Sequence, residues 1–283
     1  MSTVSNTFNY LVRVEQLITL PDIYIAVKEA IEDPDSDMQQ LVEIIKYDPA
    51  ISTKLLRAAN SPLYGQASSI DTIDRTVTLL GTKTVHDLVL SISISHTFNG
   101  IIDTYDVTNF WQNSIMRAAI AKCCAKALNI PEPDRFFTLG LLSDIGHMAM
   151  AICEPGLMRQ VISQQQKTNY PLYLYERSTF GFDSGELGAD ILDSWSIPES
   201  IVNGIRYQNC PELADDYKQE ASIIYCAGRL HLNHQDFPNM LDFEVLKQCN
   251  MEYLDFDLIR AETTDHYQEA LSLFPVSELK KAG

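Results

Sequence analysis

Basic residues are scarce in this sequence. Against 38 Asp and Glu there are 21 Lys and Arg, a formal net charge of -17 with a pI near 4.6. Duplex binding draws much of its affinity from cationic side chains that displace counterions from phosphate, so a chain of this sign is poorly suited to it. The deficit is uneven: from Gly181 onward there are 19 acidic and 7 basic residues, a balance of -12 out of -17. In the first half Lys46, Lys54 and Arg57 form a small basic group, which is ordinary dressing for a helix surface. No direct nucleic-acid contact is expected.

Metal-ligand spacing is missing too. None of the six His (His86, His96, His147, His231, His234 and His266) belongs to an HxH or HExxH pair. His231 and His234 are three apart, but they sit in the polar stretch HLNHQDFPN, where side chains are expected to face solvent. The six Cys (Cys123, Cys124, Cys153, Cys210, Cys226 and Cys249) contain no CxxC, and the adjacent Cys123 and Cys124 diverge on a helix. With no recognisable signal peptide, reduced core thiols and a cytoplasmic location are expected. No apolar run reaches 18 residues, so no membrane span is expected. Strand alternation, a glycine-rich phosphate loop, coiled-coil heptads and a fixed-period repeat are absent as well.

What the sequence does have is apolar material, 46% of its 283 residues, enough for a sizeable core. Its most apolar stretch is FFTLGLLSDIGHMAM, Phe136 to Met150, where Leu139, Leu142, Ile145, Met148 and Ala149 recur at helical spacing. It reads as one core helix with a single carboxylate, Asp144, near its middle. An ionised Asp in an apolar interior costs several kcal/mol unless it is answered. One answer is a metal ion shared with imidazoles from other helices; the other is a set of amides, hydroxyls or an arginine.

In chain order, Met1 to Asn9 is expected to fray, and Leu11 to Ile18 to form a short helix that Pro21 interrupts. Helices are predicted over Asp22 to Ile31, from a cap at Ser36 to Tyr47, and from Pro49 to Asn60. Thr72 to Leu80 follows, with Gly81 as a C-cap, and then Val85 to Phe98. A second lobe opens with a long helix capped by Thr108, then the organising stretch, then Leu157 to Gln166. A turn at Gly181 leads to a helix with Leu187, Ile191 and Trp195 inside. Ile197 to Gln208 and Gln219 to Leu232 come next, and three shorter pieces end the chain: Phe243 to Met251, Leu254 to Glu262 and Tyr267 to Leu273. The fold class is all-α.

Several blocks, in order, resemble the HDOD domain, a bacterial signal-output relative of the HD phosphohydrolases. They are LPDIYIAVKEAIEDPDSDMQQLVEIIKYDPAISTKLLRAANSPLYG, IDTIDRTVTLLGTKTVHDLVLSISI, FWQNSIMRAAIAKCCA, FFTLGLLSDIGHMAM and GELGADILDSWSIPESIVNGIRY. The resemblance spans Leu11 to Leu230 and implies an HD-like helical bundle in two packed lobes, 11–98 and 107–230. Residues 231–283 then form a helical extension packed on the second lobe.

HD enzymes hold metal through His and Asp on several helices. Carried over position by position, the resemblance puts Asn113 at the first His, Ser143 and Asp144 at the adjacent His and Asp, and Ser184 at the next His. Gln208 and Asn209 fall at the later His positions and Gly228 at the terminal Asp. Neutral Ser, Asn and Gln are weak ligands beside imidazole, and they are good partners for a carboxylate. On that ground no catalytic, cofactor-binding or metal-binding residue is assigned, and Asp144→Asn is expected to be tolerated.

The implied function is a non-enzymatic regulatory protein of bacterial signal transduction that works through a protein partner. A small nucleotide is a further candidate ligand. The alternative is a divergent phosphohydrolase acting on nucleotides or cyclic dinucleotides, with Mg²⁺ held by Asp144, substrate phosphates and water.

Overall fold

The structure, a computed structural model, describes residues 4–17, 20–61, 70–97, 107–168, 170–231, 243–248 and 250–273. Among them every regular element is helical, as expected. Helix α1 (Val4–Leu17) starts well before the predicted Leu11. Its stability is tertiary: Tyr10 meets Phe182 and Phe180 edge-on, with ring centroids 5.1 and 6.1 Å apart, and Val14 is fully buried. These contacts lie on the second lobe, where α1 packs against two helices described below.

The first lobe is α2 (Asp22–Glu32), α3 (Met38–Lys46), α4 (Pro49–Ala59) and α5 (Ile73–Thr97), packed around Tyr24, Val27, Leu41, Ile45, Leu55 and Val77. The cap of α3 is Asp37, whose carboxylate accepts from Gln40 N at 2.8 Å, and not the predicted Ser36. Asp48 caps α4 by accepting from Ala50 N and Ile51 N, and Pro49 at the first helical position costs no hydrogen bond. Gly81 breaks α5 with φ 77°, a conformation that glycine adopts without a Cβ clash.

The second lobe is built on α6 (Val107–Ala127). Thr108, the expected cap, falls at the second position of α6. Ile115, Ala118, Ala119, Ile120, Ala121, Cys123 and Cys124 are all buried, so this helix is covered on every side. Against it lies α7 (Asp134–Leu142), which also packs on α5 and so joins the lobes. A Cβ on Gly140 would come within 2.6 Å of the Ala118 backbone, so this close approach of α6 and α7 needs glycine.

The stretch expected to be one core helix is two. After α7 the chain turns at Ser143 and Asp144, and α8 (Ile145–Cys153) follows. The apolar spacing runs unbroken through the turn because both flanking segments face the same core.

Next come α9 (Pro155–Thr168), α10 (Leu172–Phe180), α11 (Ser184–Ser194), α12 (Glu199–Arg206), a single 3-10 turn (Pro211–Leu213) and α13 (Lys218–His231). Sequence reading passes over α10, which Pro171 and the left-handed Gly181 (φ 85°) bracket. The helices that receive α1 are α8 and α11. Finally, α14 (Phe243–Gln248) sits by the 3-10 turn, and α15 (Phe256–Leu273) packs on α6 with a smaller contact to α4. Two separate pieces are expected where α15 is continuous.

Two stretches among the described residues are long and apolar enough to cross a membrane, Ile73–Ile94 and Asp134–Cys153. The second is 89% buried within the protein and is interrupted at Ser143 and Asp144, which identifies it as core. Cys123, Cys124, Cys153 and Cys226 are buried free thiols. His234, Cys249 and the side chains of His96 and His231 lie outside the described residues.

Helices α8 and α11 approach closely. A Cβ on Gly146 would sit 1.8 Å from the Ser184 carbonyl oxygen, and Gly188 faces it from α11. Gly146→Ala must push backbone against backbone, and a loss of about 3 kcal/mol or more is expected in denaturant melts. Gly156→Ala, with nothing within 4 Å of its new Cβ, is the comparison and should stay within about 1 kcal/mol of the parent.

Candidate functional site

The turn that splits the organising stretch puts Asp144 at the mouth of α8, where its side chain caps no backbone amide. A guanidinium answers it. Arg117 Nη1, from α6, donates to Asp144 Oδ1 at 2.6 Å and to Ser143 Oγ at 3.2 Å. Both members of the pair are largely buried, with side-chain exposures of 15% and 9%. His147, one turn into α8, brings Nδ1 to 3.0 Å from the same Asp144 oxygen.

The other imidazole nitrogen is occupied as well. His147 Nε2 lies 2.9 Å from Ser184 Oγ and 2.7 Å from Oε1 of Glu176, which is fully buried on α10. The Glu176 contact is an ion pair without hydrogen-bond alignment, since Oε1 has no hydrogen-bond partner. Glu176 Oε2 accepts from Ser184 N at 2.9 Å, which fixes the carboxylate to the first turn of α11. A capping box holds that turn: Glu186 N donates to Asp183 Oδ1 at 3.0 Å, and Asp183 N donates to Glu186 Oε2 at 2.9 Å.

Charge states follow from this geometry. Burial works against a charged His147, but the Glu176 charge and the contacts to Asp144 and Glu176 outweigh it and push its pKa up to about 10. Burial raises Glu176, but the His147 charge and the hydrogen bonds from Ser184 prevail, and its carboxyl falls below the usual range. The four groups at neutral pH are two cations, Arg117 and His147, facing two anions, Asp144 and Glu176.

Five of the positions carried over from the HD ligand set converge here. Ser143, Asp144 and Ser184 touch the cluster directly. Gln208 Nε2 donates to the Ser143 carbonyl at 2.8 Å, and a Cβ added at Gly228 would face the Arg117 guanidinium at 3.7 Å. Asn113 lies one helical turn before Arg117 on α6, and Asn209 follows α12; both are partly exposed.

Sequence reasoning missed Arg117, His147 and Glu176. The spacing Asp144 to His147 places both on one side of a helix start, and the DSGE run at Asp183 to Glu186 spells a capping box. Those two signals were legible; the pairing across α6 and α10 was not.

The donor set does not fit a divalent metal ion. Both His147 nitrogens face carboxylates and leave no lone pair to offer, Asp144 is held by a guanidinium, and Ser143, Ser184 and Gln208 are neutral and committed to hydrogen bonds. Among the described residues no group of three His, Cys, Asp or Glu side chains is arranged to hold one.

Comparison with known proteins places this geometry. A family model for the HDOD domain matches residues 17–211. An uncharacterised protein of Treponema pallidum is 24% identical over 219 residues, which are 76% of this chain and 42% of that protein, so the chain spans less than half the length of that relative. Among solved structures, an HDOD domain protein from Geobacter sulfurreducens is 21% identical with a TM-score of 0.73, covering 95% of this chain and 99% of that one. A protein of Shewanella amazonensis provisionally named a phosphohydrolase is 24% identical with a TM-score of 0.74 and coverages of 94% and 97%. One of Marinobacter aquaeolei provisionally named a signal transduction protein is 18% identical with a TM-score of 0.74 and coverages of 97% and 65%.

The Arg117 pair changes what is expected of Asp144. An amide there would strand a buried guanidinium, so Asp144→Asn should cost about 3–5 kcal/mol in denaturant melts, as breaking a buried pair does, instead of being tolerated. Arg117→Met combined with Asp144→Leu should cost less than the sum of the two single changes.

The His147 shift gives a pH signature. Its folded pKa lies above the unfolded 6.5, so its contribution is complete below about pH 6.5 and is lost as pH rises toward 10. Stability should fall by at most about 3 kcal/mol between pH 6.5 and 9, since each pKa unit is worth about 1.4 kcal/mol. Thermal melts of His147→Gln should be flat across that window.

Proposed function

The chain belongs to the HDOD family, and from that premise we propose that it is a non-catalytic regulatory protein of bacterial signal transduction that acts through protein–protein contacts. The observation that carries this reading is the internal neutralisation of the former ligand site: Arg117 occupies Asp144, and carboxylates occupy both nitrogens of His147. Metal-assisted hydrolysis needs open coordination positions and stabilisation of developing phosphoryl charge. Here the two cations are already spent on two buried anions. A cytoplasmic setting, no direct nucleic-acid contact and no membrane contact belong to the same proposal.

The phosphohydrolase alternative draws on the provisional name of the Shewanella neighbour, whose likeness of 24% identity supports a shared fold. The ligand positions argue against it. Incubation with Mg²⁺ or Mn²⁺ and a panel of nucleoside phosphates and cyclic dinucleotides is expected to give no turnover above an Asp144→Ala control. Turnover that scales with protein and vanishes in Asp144→Ala would establish the hydrolase instead. EDTA is expected to leave the thermal midpoint unchanged, because a metal bound only to the native state would have raised it by mass action.

A further inference from the structure

A groove of about 280 Å³ opens where α1, α10, α11 and α12 meet the Pro211–Leu213 turn. Its charged walls are satisfied from within: Arg206 pairs with Asp190 at 2.8 Å and Arg177 with Asp183 at 2.8 Å. Tyr207 and Leu213 supply the accessible apolar lining over the fully buried Phe182, and Leu213 is 61% exposed at the rim. Small-molecule sites usually run from about 300 to 1,000 Å³, so this volume suits one or two side chains better than a cyclic dinucleotide.

The surroundings specify the partner's charge. Glu212, Asp215 and Asp216 are exposed beside Leu213, and none of the three is within ion-pair distance of a described cation. They stand in the half of the chain that carries -12 of the net charge. Leu213 lies just beyond the segment matched to the family, 17–211.

We propose that this groove docks a basic segment of a partner protein, seating one apolar side chain against Tyr207 and Leu213 while Lys or Arg residues face Glu212, Asp215 and Asp216. An apolar anchor in a pocket supplies affinity, and the carboxylate rim supplies encounter rate and selectivity. The inference rests on the protein-contact reading above and names the surface that would carry it.

The test places photo-crosslinking benzoylphenylalanine in the full chain at position 213 and, for comparison, at position 47, where Tyr47 is 85% exposed on the first lobe. After irradiation in cells that express the chain natively, mass spectrometry reads the peptide joined to each site. A partner peptide rich in Lys or Arg around an apolar residue is expected at position 213. Asp215→Lys with Asp216→Lys should cut that yield about tenfold while leaving the thermal midpoint unchanged. An acidic or neutral captured peptide, a second copy of this chain, or indifference to the charge reversal would each overturn the proposal. So would capture at position 47 without capture at 213, which leaves protein-contact signalling standing and removes only this surface. Absence of capture at both positions overturns the surface as well, and the turnover assay then decides the fate of the signalling reading separately.

Discussion

The second lobe depends on one chain of buried charges: Arg117 to Asp144, Asp144 to His147, His147 to Glu176. The outer links join different helices, α6 to the turn before α8 and α8 to α10, while Asp144 to His147 lies within the first turn of α8, and Ser184 ties the end of the chain to α11. A single uncompensated ion at this depth would cost several kcal/mol, so these side chains must be present together or not at all. That requirement explains why the helices keep a common register around the site. The glycines serve the same site, since Gly146 and Gly188 permit the close approach of α8 and α11 across which Ser184 Oγ meets His147 Nε2.

Much of the fold can be read along the sequence because it rests on local physics. Asp48 before Pro49 carries a local helix-start signal, and Gly181 a helix-end signal. The failures are equally physical. FFTLGLLSDIGHMAM reads as one helix because periodicity reports which face is buried and not whether the backbone turns between two segments sharing that face. Helix α10 escapes notice because LYLYERSTF buries Glu176, and a carboxylate counts as polar in any apolar pattern. Its burial is intelligible only once His147, 29 residues earlier in sequence, is beside it. The start of α1 at Val4 is likewise set by Phe180 and Phe182, which no local rule can supply.

At the site, the positions carried over by resemblance were legible, and Ser143, Asp144, Ser184, Gln208 and Gly228 do converge. The guanidinium that answers Asp144 was not. Arg117 sits in a run of small apolar residues on a helix that is otherwise core, where an arginine reads as an accidental surface residue. Its role depends on its distance from Asp144, 27 positions away, and sequence alone does not carry that distance.

The charge arithmetic bears on what such a site can do next. A divalent ion held by imidazoles and one or two carboxylates leaves net positive charge and an open face toward a phosphate. The present cluster sums to zero, with Arg117 and His147 balanced by Asp144 and Glu176, and its hydrogen-bonding capacity is directed inward. A metal-holding arrangement at these positions would therefore take more than a histidine at position 143 or 184. The guanidinium would have to leave Asp144, and Glu176 would have to release His147, and each change alone strands a buried charge. Intermediate sequences are less stable than either end, which makes the ion-paired state self-preserving.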